Sequence, residues 1–96
     1  MNTENHIMEK LREFKPMLKK EYSITEIGLF GSFYDNTYTD NSDIDILIEL
    51  EKPIGWKILT LEIFLEKTFG RKIDLVTIGA LKEQIKDQIL KQVKYI

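Results

Sequence analysis

The chain has 96 residues, 43% of them hydrophobic and 31% charged, with a net charge of −2; it is predicted to fold as a single domain, 1–96, and carries no general attraction to nucleic acid. It has no cysteine, which excludes disulfides, zinc–thiolate sites and cysteine nucleophiles. No apolar stretch approaches the roughly 20 residues that span a bilayer, and the polar start Met1-Asn2-Thr3-Glu4-Asn5 lacks the core of a secretion signal, so a cytoplasmic protein with no membrane partner is expected.

Residues 4–21 read as a helix. Ile7, Met8, Leu11, Phe14 and Leu18 recur at helical spacing and define a buried stripe. Asn2 or Thr3 is placed to cap its start. Pro16 lacks an N–H and is predicted to kink or break it. His6 is the sole histidine and reads as a surface residue. The lysines at 10, 15, 19, 20, 82, 86, 91 and 94 are dispersed, as on solvated helix faces rather than in one basic groove. Residues 24–30 read as a strand, ended by Gly31-Ser32, with a short helical turn starting at Ser32. Residues 43–50 give a second strand. Pro53 and Gly55 mark a turn. Residues 56–69, with Trp56, Leu59, Ile63, Phe64 and Phe69, are expected to form a well-buried helix stopped by Gly70. Residues 72–77 form a third strand. Gly79 interrupts, and residues 80–93 read as a last helix with Leu81, Ile85, Ile89 and Val93 on one face. This order predicts a small mixed α/β (α+β) layer, its sheet flanked by helices.

Three aspartates carry the chemistry. Successive strand side chains point to opposite faces, so Asp43 and Asp45 leave one face together while Ile44, Ile46 and Ile48 fill the other. Asp74 repeats the pattern on the third strand, between Ile73 and Leu75. If the two strands are neighbours, three carboxylates converge and repel one another. A divalent cation removes that repulsion. Hard oxygen ligands suit magnesium, and two such ions clamp the attacking and leaving oxygens of an in-line displacement. The plainer alternative is that the aspartates cap turns at strand ends, which suits Asp43 best because it follows Ser42. Gly31-Ser32 is the second element: glycine admits close approach of a phosphate to the backbone, and serine adds a hydroxyl beside the N–H groups of a helix start. The same crowding predicts that Asp43→Asn stabilises the metal-free protein.

Gly31-Ser32-Phe33, then Ser42-Asp43-Ile44-Asp45-Ile46-Leu47-Ile48-Glu49, then Gly70-Arg71-Lys72-Ile73-Asp74-Leu75-Val76-Thr77 resembles the nucleotidyltransferase superfamily of the DNA polymerase β type. Within it the chain looks like the minimal nucleotidyltransferase (MNT) group. The likeness covers nearly the whole chain. It implies a polymerase β-like nucleotidyltransferase fold in which Gly31 and Ser32 cradle the nucleotide phosphates. Asp43, Asp45 and Asp74 would be both catalytic and metal-binding, with Mg2+ (two ions) as cofactor and ATP as substrate. Asp74 would hold the metal nearest the acceptor hydroxyl and help to deprotonate it. The group also implies an antitoxin that transfers AMP from ATP onto a tyrosine of a HEPN-family toxin.

One stretch departs from that pattern. Many relatives carry Ala-Arg-Gly after Gly-Ser-Phe; here it reads Tyr34-Asp35-Asn36. Asn36 can replace glycine in a left-handed turn, but Asp35 replaces a cation, and Arg71, Lys72 or Lys57 are the candidates to compensate. A catalytically degenerate antitoxin that neutralises its HEPN partner by binding alone is the alternative.

Overall fold

The computed structural model describes residues 3–96. Its elements run α1 (Thr3–Tyr22), β1 (Ile24–Phe30), α2 (Ser32–Asp35), β2 (Ile44–Leu50), α3 (Lys57–Phe69), β3 (Ile73–Thr77), α4 (Glu83–Leu90) and β4 (Lys94–Tyr95), with a single 3₁₀ turn at Ile78–Ala80. The strands form one mixed sheet in the order β3-β2-β1-β4. β1 pairs antiparallel with β2 and with β4, whereas β2 and β3 run parallel. Parallel neighbours need a crossover, and α3 supplies it.

The core lies on one face of the sheet. Ile44, Ile46 and Ile48 of β2 are fully buried there with Ile27 and Leu29 of β1, Ile7, Leu11 and Leu18 of α1, and Leu61 and Leu65 of α3. The α1 stripe expected from its periodicity is therefore the inner face of that helix. α1 nonetheless runs through Pro16 without ending. Pro16 is exposed while Leu18, two residues on, is buried, so packing of the last turn holds the helix where propensity alone would stop it. The cap expected at Asn2 lies outside the described residues, and Thr3 is already helical.

Two expectations are corrected. The helix over 56–69 is not well buried: Trp56 is 84% exposed, Leu59 59% and Ile63 54%. Its inward face is instead Leu61 and Leu65, with Phe64 and Phe69 packed at the margin. The final helix is also shorter than residues 80–93. Ile78–Ala80 forms the 3₁₀ turn, α4 ends at Leu90, and the chain then returns as β4 against β1. Gly28 explains how that fourth strand docks. A Cβ built there would lie 2.5 Å from Val93 Cγ1 and 2.9 Å from the Lys94 carbonyl oxygen, so the closing segment crosses β1 where no side chain intervenes.

Candidate active site

The second face of the sheet carries the acidic residues. The parallel register sets Asp45 of β2 opposite Asp74 of β3, and the antiparallel register sets Asp45 opposite Phe30 at the end of β1. Side chains opposite one another in neighbouring strands share a face. Asp45 and Asp74 therefore stand side by side at one edge of the sheet, as the spacing predicted for neighbouring strands. Asp45 is pushed up from 3.8 to about 6, by burial first, then by the charge of Asp74 and hydrogen bonding to it, and least by Asp43. Asp45 is half-buried, while Asp43 and Asp74 are exposed.

The convergence is thus tightest between two of the three carboxylates. Asp43 sits one residue before β2 begins, at the lip of a polar cleft of about 230 Å³ lined also by Asp40, Ser42, Arg71 and Lys72. Among the described residues no three acidic or histidine side chains close into a ready-made metal cage. Magnesium does not need one. It keeps several waters and takes one or two carboxylates together with phosphate oxygens. Two hard carboxylates side by side in neighbouring strands fit that demand, and the raised Asp45 marks a site where added negative charge is unfavourable without a cation.

Gly31 packs directly against this pair. Its φ is +66, and an added Cβ would fall 2.1 Å from Asp45 Oδ2. The backbone between β1 and α2 is therefore pressed onto the Asp45 carboxylate, in a conformation that glycine adopts without strain. Ser32 follows as the first residue of α2. The Gly31 carbonyl accepts from the N–H groups of Tyr34 and Asp35, at 3.0 and 3.1 Å, which closes the turn. Asn36 ends α2 in the left-handed conformation, φ 64 and ψ 29, as the substitution of asparagine for glycine predicts.

Of the three cations considered as replacements for the missing arginine, Lys57 is remote. It lines a cleft between α1 and α3 with Met17, Glu21, Tyr22 and Thr60. Lys72 is exposed beside Asp43. Arg71 donates through Nη1 to the carbonyls of Thr39 (2.9 Å) and Ser42 (3.0 Å) and lies over the Phe33 ring, 5.7 Å from its centroid. Its link to the loop before Asp43 was not foreseen from sequence, because a contact spanning 29 and 32 positions leaves no local pattern.

The result is a two-layer α+β fold with a carboxylate pair on its open face and a glycine turn against it. The family model for the nucleotidyltransferase domain matches residues 11–96, and the chain belongs to that family, in its minimal nucleotidyltransferase branch. It is 41% identical over 98 residues to a Methanocaldococcus jannaschii protein with a provisional protein adenylyltransferase name, covering 100% of both chains. It is 35% identical to the protein adenylyltransferase MntA of Thermococcus cleftensis, over 100% of this chain and 98% of that one. Among solved structures it resembles a chain of a toxin–antitoxin with AMP-PNP, at 28% identity and TM-score 0.71, over 96% of this chain and 70% of the other. It shares its fold, at 24% identity and TM-score 0.62, with a chain in the complex of a tri-AMPylated Shewanella oneidensis HEPN toxin and its MNT antitoxin, over 97% of this chain and 67% of the other.

Proposed function

We propose that this protein is an antitoxin that transfers AMP from ATP to a tyrosine hydroxyl of a HEPN-family toxin partner, in a magnesium-dependent reaction. The observation that carries the reading is the in-register Asp45–Asp74 pair with the Gly31 backbone against it. A module that acted by contact alone would have no need of a half-buried carboxylate crowded by a second acid, which costs stability. The relatives named as protein adenylyltransferases and the AMP-PNP-bound toxin–antitoxin support the same donor and class of acceptor.

Gly31 and Ser32 take the phosphates, through the N–H groups of the turn that abuts Asp45. Asp43, Asp45 and Asp74 hold Mg2+, which when bound neutralises the triphosphate and the charge that develops on transfer. The acceptor oxygen attacks the α-phosphorus. A new O–P bond forms, the bond to the β-phosphate bridging oxygen breaks, and pyrophosphate leaves. Asp74, the exposed member of the pair, accepts the hydroxyl proton. Asp45 stays behind it and fixes its orientation. Catalysis is then positioning and charge neutralisation, with no covalent enzyme intermediate.

The test is to incubate the protein with ATP, Mg2+ and the product of its genomic neighbour and to weigh both chains. Addition of AMP-sized mass to a neighbour tyrosine, lost on chelation of the metal and in Asp45→Asn, is the expected result. An unmodified neighbour that is nonetheless silenced by stoichiometric binding would replace this reading with the contact-only antitoxin.

A further inference from the structure

We infer that Arg71, in the turn that leads from α3 into β3, is a positioning residue that holds Asp43 ready for the metal. The inference rests on the reading of Asp43 as a metal-holding group. Asp43 itself is exposed and precedes the first ladder residue of β2, so strand pairing does not fix it directly. What fixes it is the loop before it. That loop is a tight turn in which the Ser42 N–H donates to the Thr39 carbonyl at 3.1 Å and the Thr39 N–H donates to Ser42 Oγ at 2.8 Å.

Arg71 grips both ends of this turn with one nitrogen, through the carbonyls of Thr39 and Ser42. The Ser42 carbonyl belongs to the peptide bond that enters Asp43, so the grip acts on the backbone next to the carboxylate. On the other side the guanidinium lies over Phe33, and Phe33 stacks on Tyr38, with centroids 4.3 Å apart and planes 7° from parallel. Phe33 is fully buried and is the second residue of α2. One side chain thus ties three pieces together: α2 through Phe33, the Asp43 loop through two carbonyls, and, through its own backbone, the turn that leads into β3. Next to it the Ile44 N–H donates to the Lys72 carbonyl at 2.9 Å, so the clamp sits where β2 and β3 first pair.

The geometry calls for a guanidinium. A planar cation can stack on an aromatic ring and donate in its own plane at once, whereas an ammonium cannot do both. The same geometry occupies Nη1 with the backbone of the loop, since it already donates to two carbonyls.

The experiment has two readouts on the full chain. The first is amide hydrogen exchange in the metal-free protein. Arg71→Met keeps a long apolar side chain at the position and removes the guanidinium; it is expected to speed exchange at Ser42 by about tenfold while leaving β1 amides unchanged, with Arg71→Lys in between. Parent-like protection at Ser42 in Arg71→Met would overturn the inference. The second readout is a calorimetric titration of Mg2+ with ATP into the parent, Arg71→Met, Asp43→Asn and the double variant. Because Arg71 acts through Asp43, its loss is expected to weaken binding about tenfold in the parent background and to add nothing to Asp43→Asn. Full additivity would also overturn it, as the mark of general damage. A parent that fails to bind ATP with Mg2+ would sink the proposed function instead, and the exchange readout would still decide whether Arg71 holds the loop.

Discussion

Asp45 on β2 and Asp74 on β3 face one another in parallel register, and Asp74, by its charge and by hydrogen bonding, helps to hold the Asp45 carboxyl above its ordinary value. Two acids arranged this way cannot both be charged cheaply. That single relationship sets the pH behaviour, the metal response and the sensitivity to substitution of this end of the sheet.

The pH response follows first. Asp45 rises from 3.8 to about 6 in the folded protein. Between those values the folded state holds a proton that the unfolded chain releases. The contribution of this group to stability is therefore full below about pH 4 and is lost as pH rises through about 6. In chelator, Asp45→Asn should be no more stable than the parent near pH 4 and more stable at pH 7. Solvent screening of a half-exposed carboxylate reduces the gain to about 1 kcal/mol, or roughly 4–8 °C in Tm for a domain of this size. Thermal melts of both proteins across that range check it; curves that stay parallel would contradict the crowding. The relief expected from sequence for Asp43→Asn falls mainly to Asp45→Asn, because Asp43 is exposed and contributes least to the shift.

Magnesium and ATP together should reverse that penalty. A ligand that binds only the folded state stabilises it by mass action, about 2.7 kcal/mol at a hundredfold excess over Kd. The parent Tm should climb with Mg2+ and ATP and barely move with ATP alone. The Asp43→Asn/Asp45→Asn protein should show neither response. An equal rise in the double variant would place the nucleotide elsewhere on the molecule.

Much of this was legible because it is written locally. The alternation in 43–50 put Ile44, Ile46 and Ile48 in the core and Asp45 on the opposite face, and Gly31-Ser32 marked the turn against it. Gly70 and Asn36 ended their helices as their tolerance of positive φ predicts. What sequence could not convey was non-local. Trp56, Leu59 and Ile63 are as apolar as Leu61 and Leu65, and only the position of the sheet decides which side of α3 is inside. The two residues of β4 are too short to show any periodicity and exist because β1 has a free edge and a glycine at the crossing. Arg71 carries no local signal of its 29- and 32-residue reach to the Asp43 loop.

Trp56 gives a direct check on the exposed side of α3. It is the chain's one tryptophan and is 84% exposed. Its emission should be that of a solvated indole already in the folded state and should shift little on unfolding. Trp56→Ala should change stability by no more than about 0.5 kcal/mol. A blue-shifted folded spectrum, or a large loss of stability, would mean that this face is covered in the free protein.

Gly31→Ala should be the most damaging single methyl at the site. Its φ of +66 strains any side chain, and the new Cβ would run into Asp45 Oδ2 at 2.1 Å. Backbone strain alone costs about 1–3 kcal/mol, and relief requires Asp45 to swing away from Asp74. Loss of AMP transfer together with a lowered Tm is expected. Transfer at the parental rate would show that the Gly31 backbone is no part of the nucleotide site.

Gly28→Ala, three residues earlier and within β1, is the matched control. Here the added methyl would meet Val93 Cγ1 at 2.5 Å and the Lys94 carbonyl oxygen at 2.9 Å, with φ in a region open to any residue. The clash falls on the closing segment rather than on the aspartates. That segment is further held by Lys94 paired with Glu4 and by Lys15 donating to the Ile96 carbonyl at 2.9 Å, so it must give way while still anchored to α1. Overpacking of this kind costs about 1–3 kcal/mol. Faster exchange at the Ile96 amide, which donates to the Ile27 carbonyl at 2.9 Å, should accompany a lowered Tm, with binding of Mg2+ and ATP retained. Loss of nucleotide binding in Gly28→Ala at temperatures well below its Tm would mean that β4 supports the site through β1, and that the two ends of the sheet are mechanically coupled.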